Sequence, residues 1–246
     1  TQANLKFVNR EEIIFCGGFI VPLVFARLDN EIKTEIKITE GQKTPKNTTL
    51  IEVSGNARKI LTCERVALNL LQRMSSVATL TAKYVDAVKD TKAIILDTRK
   101  TMPCLREIDK YAVRIAGAKN HRMRLDDAIL IKDNHIAITG SVKSAYKLAE
   151  NGNKENLMII VECDNIAQME EALVAGAKRI MLDNMNLAEL KKAVKINNGR
   201  AKLEASGNVN LTNINEIAET GIDFISIGRL THSANSVDIG LDIKFN

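Results

Sequence analysis

Apolar residues recur at Ala67, Leu71, Met74, Ala78, Thr81, Val85 and Val88, steps of four and three that keep one face of a helix apolar. The stripe predicts a long helix that begins at Thr62 and turns this face to a core. Beyond it the period changes. Short apolar runs at 94–97, 128–132, 157–163, 180–183, 202–206 and 224–228 read as strands, mostly separated by helical patterns at 141–151, 167–175, 187–195 and 213–219. Repeated βα units imply a parallel sheet, and strands without polar alternation imply burial on both faces. The predicted fold class is α/β, an open or incomplete α/β barrel, with an open doubly wound sheet as second choice. No Gly-x-Gly-x-x-Gly turn supports a dinucleotide fold.

Residues 1–58 follow a different pattern. Glu31-Ile32-Lys33-Thr34-Glu35-Ile36-Lys37-Ile38 and Leu50-Ile51-Glu52-Val53 alternate as half-exposed strands do, and Gly41, Pro45 and Gly55 punctuate them. The expected organisation is a small α+β sheet domain over 1–58, a barrel domain over 59–232 and a tail over 233–246.

With 246 residues the chain is long enough for a full core, and Ala, Ile, Leu and Val supply the apolar mass that scarce aromatics do not. No apolar run reaches the roughly 18 residues of a membrane span. Cys16, Cys63, Cys104 and Cys163 are far apart, as reduced thiols in a cytosolic chain are, so a soluble cytoplasmic protein is expected. The net charge of +5 permits nucleic-acid binding, but no RNA-binding aromatic motif, zinc finger or long basic run accompanies it. Small polyanions are the better-matched partners.

The cations are placed, not scattered. Arg99 and Lys100 follow the first strand of the repeat, His121 and Arg122 form an adjacent pair, and Lys132 ends the second strand. In α/β barrels chemistry sits at the carboxyl ends of strands. There the third run ends at Glu162, the fourth at Asp183, the fifth at Ser206-Gly207 and the sixth at Gly228. Ser206-Gly207-Asn208 before a helix and Gly228 after a strand suit a phosphate held by backbone N–H groups. Glu162 and Asp183 suit Mg²⁺ bound through few direct ligands, or sugar hydroxyls, with ion pairing to the basic rim as the alternative. Arg65, in the first turn of a helix beginning at Thr62, faces the positive end of the dipole and implies an anion nearby.

These residues, in this order, strongly resemble the quinolinate phosphoribosyltransferase (nicotinate-nucleotide pyrophosphorylase) family. The likeness runs from about Asn4 to Phe245. It rests on Glu64-Arg65-x-Ala67-Leu68-Asn69, Asp97-Thr98-Arg99-Lys100-Thr101-x-Pro103, Lys110-Tyr111-Ala112-Val113-Arg114 and Asn120-His121-Arg122. It continues through Leu130-Ile131-Lys132-Asp133-Asn134-His135, Leu182-Asp183-Asn184, Leu203-Glu204-Ala205-Ser206-Gly207 and Leu230-Thr231-His232-Ser233.

The resemblance implies transfer of phosphoribosyl from phosphoribosyl pyrophosphate (PRPP) to quinolinate, with loss of pyrophosphate and CO₂, giving nicotinate mononucleotide for NAD biosynthesis. It implies that Arg99, Arg122 and Lys132, with Thr98, Lys100 and His121, bind the pyridine dicarboxylate. Arg65 would reach that pocket from the second subunit of a homodimer. Glu162 and Asp183 would face the ribose and Mg²⁺, the latter indirectly through hydroxyls or water, and Ser206, Gly207, Asn208 and Gly228 the 5′-phosphate. Lys100, Lys132, Glu162 and Asp183 are the catalytic candidates. The tail would return to the N-terminal domain.

Three features depart from the family. Asn208 and Arg229 stand where it commonly has Gly and a small residue, and Ala116-Gly117-Ala118 replaces a Gly-rich stretch. The family also usually carries roughly thirty more N-terminal residues, including an acidic Gly-Asp-containing segment. Two other enzymes share parts of this pattern: a Schiff-base aldolase using Lys132, and a nicotinate phosphoribosyltransferase, whose single carboxylate needs fewer cations. A regulatory nucleotide-binding module would bind without turnover, and acids on the rim argue against it.

Overall fold

Asn56 starts the long helix earlier than the apolar stripe suggests. Its Oδ1 accepts the Lys59 N–H at 3.3 Å, as a helix N-cap does, and the helix runs Ala57–Ala87. Thr62 instead donates its hydroxyl back to the Arg58 carbonyl at 2.8 Å inside the helix. Arg65 is therefore the ninth residue of the helix and not in its first turn. The dipole argument for an anion beside it fails, because that field fades beyond the first turn.

The computed structural model describes residues 1–243. In chain order the first elements are β1 (Gln2–Asn9), β2 (Ile13–Ile14), α1 (Ile20–Ala26), β3 (Lys33–Ile36), β4 (Lys43–Thr44), β5 (Thr49–Asn56) and α2 (Ala57–Ala87). There follow β6 (Ile94–Leu96), α3 (Arg106–Ile115), β7 (Ala128–Ile131), α4 (Asp133–Thr139), α5 (Val142–Gly152), β8 (Met158–Cys163) and α6 (Ile166–Ala175). The last are β9 (Arg179–Asp183), α7 (Leu187–Asn197), β10 (Lys202–Ser206), α8 (Ile214–Glu219), β11 (Phe224–Ser226), α9 (Arg229–His232) and β12 (Ile239–Ile243). No helix among the described residues is long and apolar enough to cross a membrane.

The chain packs into two compact units, one comprising 1–83, 101–118 and 230–246, the other 84–100 and 119–229. The helix α2 runs through the first division, so contacts do not part at the junction before it.

In the first unit β12, β1, β5 and β3 form an antiparallel sheet in that order, with Phe7 of β1 opposite Leu241 on one side and Ile51 on the other. The C-terminal strand thus completes this sheet. Phe7, Phe15, Phe25, Leu50, Ile60 and Leu71 are fully buried together. The helix α3 hides two charges, Asp109 and Lys110, both fully buried. Arg73 of α2 grips Asp109 through two hydrogen bonds of 2.8 Å.

The second unit holds a six-stranded parallel sheet in the order β6-β11-β10-β9-β8-β7. Its edge strands, β6 and β7, are the first and second in sequence, and closing the barrel would require them to pair. Among the described residues they do not, and Leu96 at the end of β6 instead bridges Lys119. The barrel is open, as expected. Helix starts are fixed by local chemistry, with Asn165 and Asn186 accepting the Gln168 and Glu189 N–H groups at 3.0 Å. Three strands stop short of their predicted ends, at Leu96, Ile131 and Ser226, so Lys132 and Gly228 lie just beyond the ladder.

Register aligns the polar residues. Glu204 and Glu162 both lie opposite Met181, and Ser206 lies opposite Asp183. Residues two apart on a strand share a face, so Glu204 with Ser206, and Met181 with Asp183, project to the same side.

Candidate active site

That shared face opens, at the carboxyl ends of the strands, into a cavity of about 220 Å³. Thr98, Arg99, Lys100, His121, Arg122 and Lys132 line it on the cationic side, and Glu162, Asp183 and Ser206 complete its polar wall. Nine of the predicted site residues therefore meet in one place. Gly207, Asn208 and Gly228 are adjacent in sequence to its rim but do not line it, and Arg65 belongs to the first compact unit.

The cations are held by backbone and buried acids. Asp97, fully buried, accepts the His121 N–H at 2.8 Å through Oδ1. The His121 Nδ1 accepts the Arg122 N–H at 2.8 Å, and Arg122 Nη1 donates to the Ala128 carbonyl at 3.0 Å. Burial, and then the neighbouring charge of Arg99, push the Arg122 guanidinium below its ordinary pKa. It remains a cation, since guanidinium does not deprotonate in proteins. A desolvated cation with a second cation beside it favours any anion that enters between them.

Lys132 Nζ lies 2.7 and 3.0 Å from the two oxygens of Glu162. Ion pairing with the basic rim thus occurs at Glu162. Asp183 accepts a hydrogen bond of 2.7 Å from Asn184 Nδ2 instead. No group of three or more His, Cys, Asp and Glu able to hold a metal occurs among the described residues. Two carboxylates on the cavity wall are hard oxygen donors that fit a Mg²⁺ held mainly by substrate oxygens and water.

The turn at Ser206-Gly207-Asn208 has an unusual backbone. Gly207 and Asn208 are consecutive left-handed residues, with φ of 90° and 53°. Asn tolerates this region better than other side chains, which reconciles Asn208 with a position where Gly is common. Its Nδ2 donates to Asn184 Oδ1 at 3.2 Å. Arg229, a second departure, hydrogen-bonds the buried Tyr84, whose hydroxyl burial raises in pKa and Arg229 partly lowers.

Leu130, Met181 and Ser226 also line the cavity and escaped the sequence reading. Ser226 sits two residues before Gly228 on an inward register, so alternation back from the strand end identifies it. The four cysteines are free thiols. Burial raises Cys163 to about 12, which makes it inert although it follows Glu162.

Residues 1–75 match the quinolinate phosphoribosyl transferase N-terminal domain and residues 77–242 its C-terminal domain. A quinolinate phosphoribosyltransferase [decarboxylating] 2a, mitochondrial, from Nicotiana tabacum is 42% identical over 98% of this chain and 74% of its own length. A probable nicotinate-nucleotide pyrophosphorylase [carboxylating] from Bacillus subtilis is 40% identical, covering 100% of this chain and 85% of its own. The crystal structure of a nicotinate-nucleotide pyrophosphorylase from Ehrlichia chaffeensis superposes with a TM-score of 0.95 at 45% identity, over 99% of this chain and 89% of that one. Matched along both domains and in its cavity-bearing open barrel, the chain belongs to the quinolinate phosphoribosyltransferase family.

Proposed function

We propose that the cavity at the strand ends is where this chain transfers phosphoribosyl from PRPP to quinolinate. The product is nicotinate mononucleotide, formed with release of pyrophosphate and CO₂. The observation that carries this reading is the desolvated Arg122 beside Arg99, facing the Lys132–Glu162 pair in one cavity. Planar guanidinium groups suit carboxylates, and a dicarboxylate answers more than one cation.

In the reaction the pyridine nitrogen forms a bond to the anomeric carbon as the bond from that carbon to pyrophosphate breaks. The ring nitrogen becomes positive. The bond from the ring to the neighbouring carboxylate then breaks, CO₂ leaves, and the electron pair stays on the ring carbon beside the positive nitrogen until it takes a proton. The protein supplies position and charge. Thr98, Arg99, Lys100, His121, Arg122 and Lys132 hold the dicarboxylate and its ring. Glu162 and Asp183 accept the ribose hydroxyls, and Ser206, Gly207, Asn208 and Gly228 receive the 5′-phosphate. Mg²⁺, when bound, offsets the charge of pyrophosphate; Glu162 and Asp183 would hold it through hydroxyls or water.

The proposal extends to a homodimer in which Arg65 serves the partner's pocket. Arg65 is exposed on α2, and Leu61 and Val66 beside it are both 54% exposed, an apolar surface that a subunit interface would cover. A cytoplasmic setting is supported by four free thiols. The decisive assay supplies quinolinate, PRPP and Mg²⁺ and follows pyrophosphate, CO₂ and nicotinate mononucleotide. Equal kcat/KM with nicotinate would refute the dicarboxylate reading. For the dimer, mixing Arg65→Ala with Lys132→Ala subunits should restore activity; none after demonstrated subunit exchange would refute a shared site.

A further inference from the structure

Beneath the cavity floor lies a carboxylate that the reaction described above does not use. Glu204 is fully buried on β10, two residues before Ser206, and does not line the cavity. Its Oε2 accepts both Nε and Nη2 of Arg179, at 2.9 and 2.6 Å. Arg179 in turn lies 4.1 Å over the Phe224 ring, which shields the pair from water. A structural ion pair would be complete there. The other oxygen, Oε1, is turned upward instead: it accepts the Ser226 hydroxyl and lies 3.5 Å from His121 Nε2. Both of those side chains line the cavity.

The proton on His121 follows from its other nitrogen. Nδ1 accepts the Arg122 N–H, so a neutral ring carries its proton on Nε2, the atom turned toward Glu204. We propose that Glu204, held by Arg179, is a positioning residue for the transfer reaction: it fixes the His121 ring as its Nε2–H tautomer, keeps Nδ1 on the Arg122 N–H, and so sets the dicarboxylate wall. This rests on the reading that His121 and Arg122 bind quinolinate. A buried charge pair is costly to desolvate and contributes little net stability compared with apolar residues of similar volume. Its retention under the floor is accounted for by the two cavity-lining side chains it holds.

The consequence is one-sided. Loss of Glu204 frees the ring to turn or change tautomer and loosens Arg122, while Glu162 and Asp183 on the PRPP side keep their own partners. Two variants test this: Glu204→Gln, which keeps an acceptor but loses the charge, and Arg179→Met with Glu204→Leu, an apolar replacement of the kind that generally folds. The quinolinate KM should rise about tenfold, the lower end of the effect of outer partners at other sites, while the PRPP KM stays unchanged. Imidazole ¹⁵N spectra, with His121 assigned among the three histidines by His121→Gln, should show the Nε2–H tautomer in the unmutated protein and its loss in the variants. An Nδ1–H tautomer in the unmutated protein overturns the proposal. So does an unchanged ring spectrum, an unchanged quinolinate KM, or an equal rise in both KM values in a folded variant. If the unmutated protein fails to turn over quinolinate, the functional reading falls, and the spectra still decide what holds His121.

Discussion

Lys132 and Glu162 meet on the cavity wall through both carboxylate oxygens, with Lys132 44% exposed and Glu162 12%. An ion pair this open to water is worth about 0–1 kcal/mol to the fold. Its placement therefore serves the site more than stability, and a bound anion can compete for the ammonium. Glu162→Gln should leave the melting temperature nearly unchanged. Activity should fall by about 10²-fold, the scale of one lost preorganised electrostatic contact. A large drop in melting temperature with activity retained would assign the pair to the fold.

Arg99 and Arg122 repel each other in the ligand-free cavity, so an anion that neutralises both should be felt as stability. Quinolinate at 100 times its Kd should stabilise the protein by about 2.7 kcal/mol. Nicotinate at the same concentration should give a clearly smaller rise in melting temperature, and Arg122→Ala should abolish the difference. Equal shifts from the two ligands would count against a dicarboxylate pocket.

The βα repeat was readable because each strand is an apolar run and each helix keeps its period, and the cavity followed because polar residues close those runs. What escaped had physical reasons. The helix α3 buries Asp109 and Lys110, so its inner face looks like an outer one. The strand β1 ends with Phe7, Val8 and Asn9 all buried, which erases alternation. The start of α2 is hidden because Thr62 resembles a cap, whereas Asn56 performs that role well before Ala67, the first position of the apolar stripe. Glu204 lies inside its strand and Ser226 closes one that ends before the Gly228 expected there, so neither is the residue that closes an apolar run in the sequence; register and alternation show which way they face.

Gly207 tests the proposed phosphate role of its turn. Its φ is +90°, and a Cβ there would lie 2.1 Å from Asn184 Oδ1. Gly207→Ala must displace Asn184, whose N–H holds the Ser206 carbonyl at 2.9 Å and whose side chain holds Asp183. Strain of about 1–3 kcal/mol should appear as a PRPP KM raised roughly tenfold, with quinolinate affinity retained. Asn208→Gly keeps the left-handed backbone and removes only the bond to Asn184, so its effect should stay within about threefold, less than one net hydrogen bond. A larger effect from Asn208→Gly than from Gly207→Ala would contradict the strain argument.

Asp223 separates stability from function, because it lies at the amino end of β11, away from the cavity. Burial raises its carboxyl, but hydrogen bonds from Lys202, the Leu203 N–H and Lys92 outweigh this and hold it below the ordinary carboxylate value. A depressed folded pKa means that the unfolded chain takes up a proton first as pH falls. The stabilisation is thus complete well above the unfolded value of about 3.9, and is lost as pH falls through the lower folded value. Asp223→Ala also leaves the Leu203 N–H without its acceptor, and should cost about 1–3 kcal/mol at neutral pH. Denaturant titrations should show the ionic part of that gap shrinking below about pH 4, while kcat/KM at neutral pH stays unchanged. A gap that is constant down to pH 2 would show that the charge of Asp223 contributes nothing and that only its hydrogen-bonding shape matters.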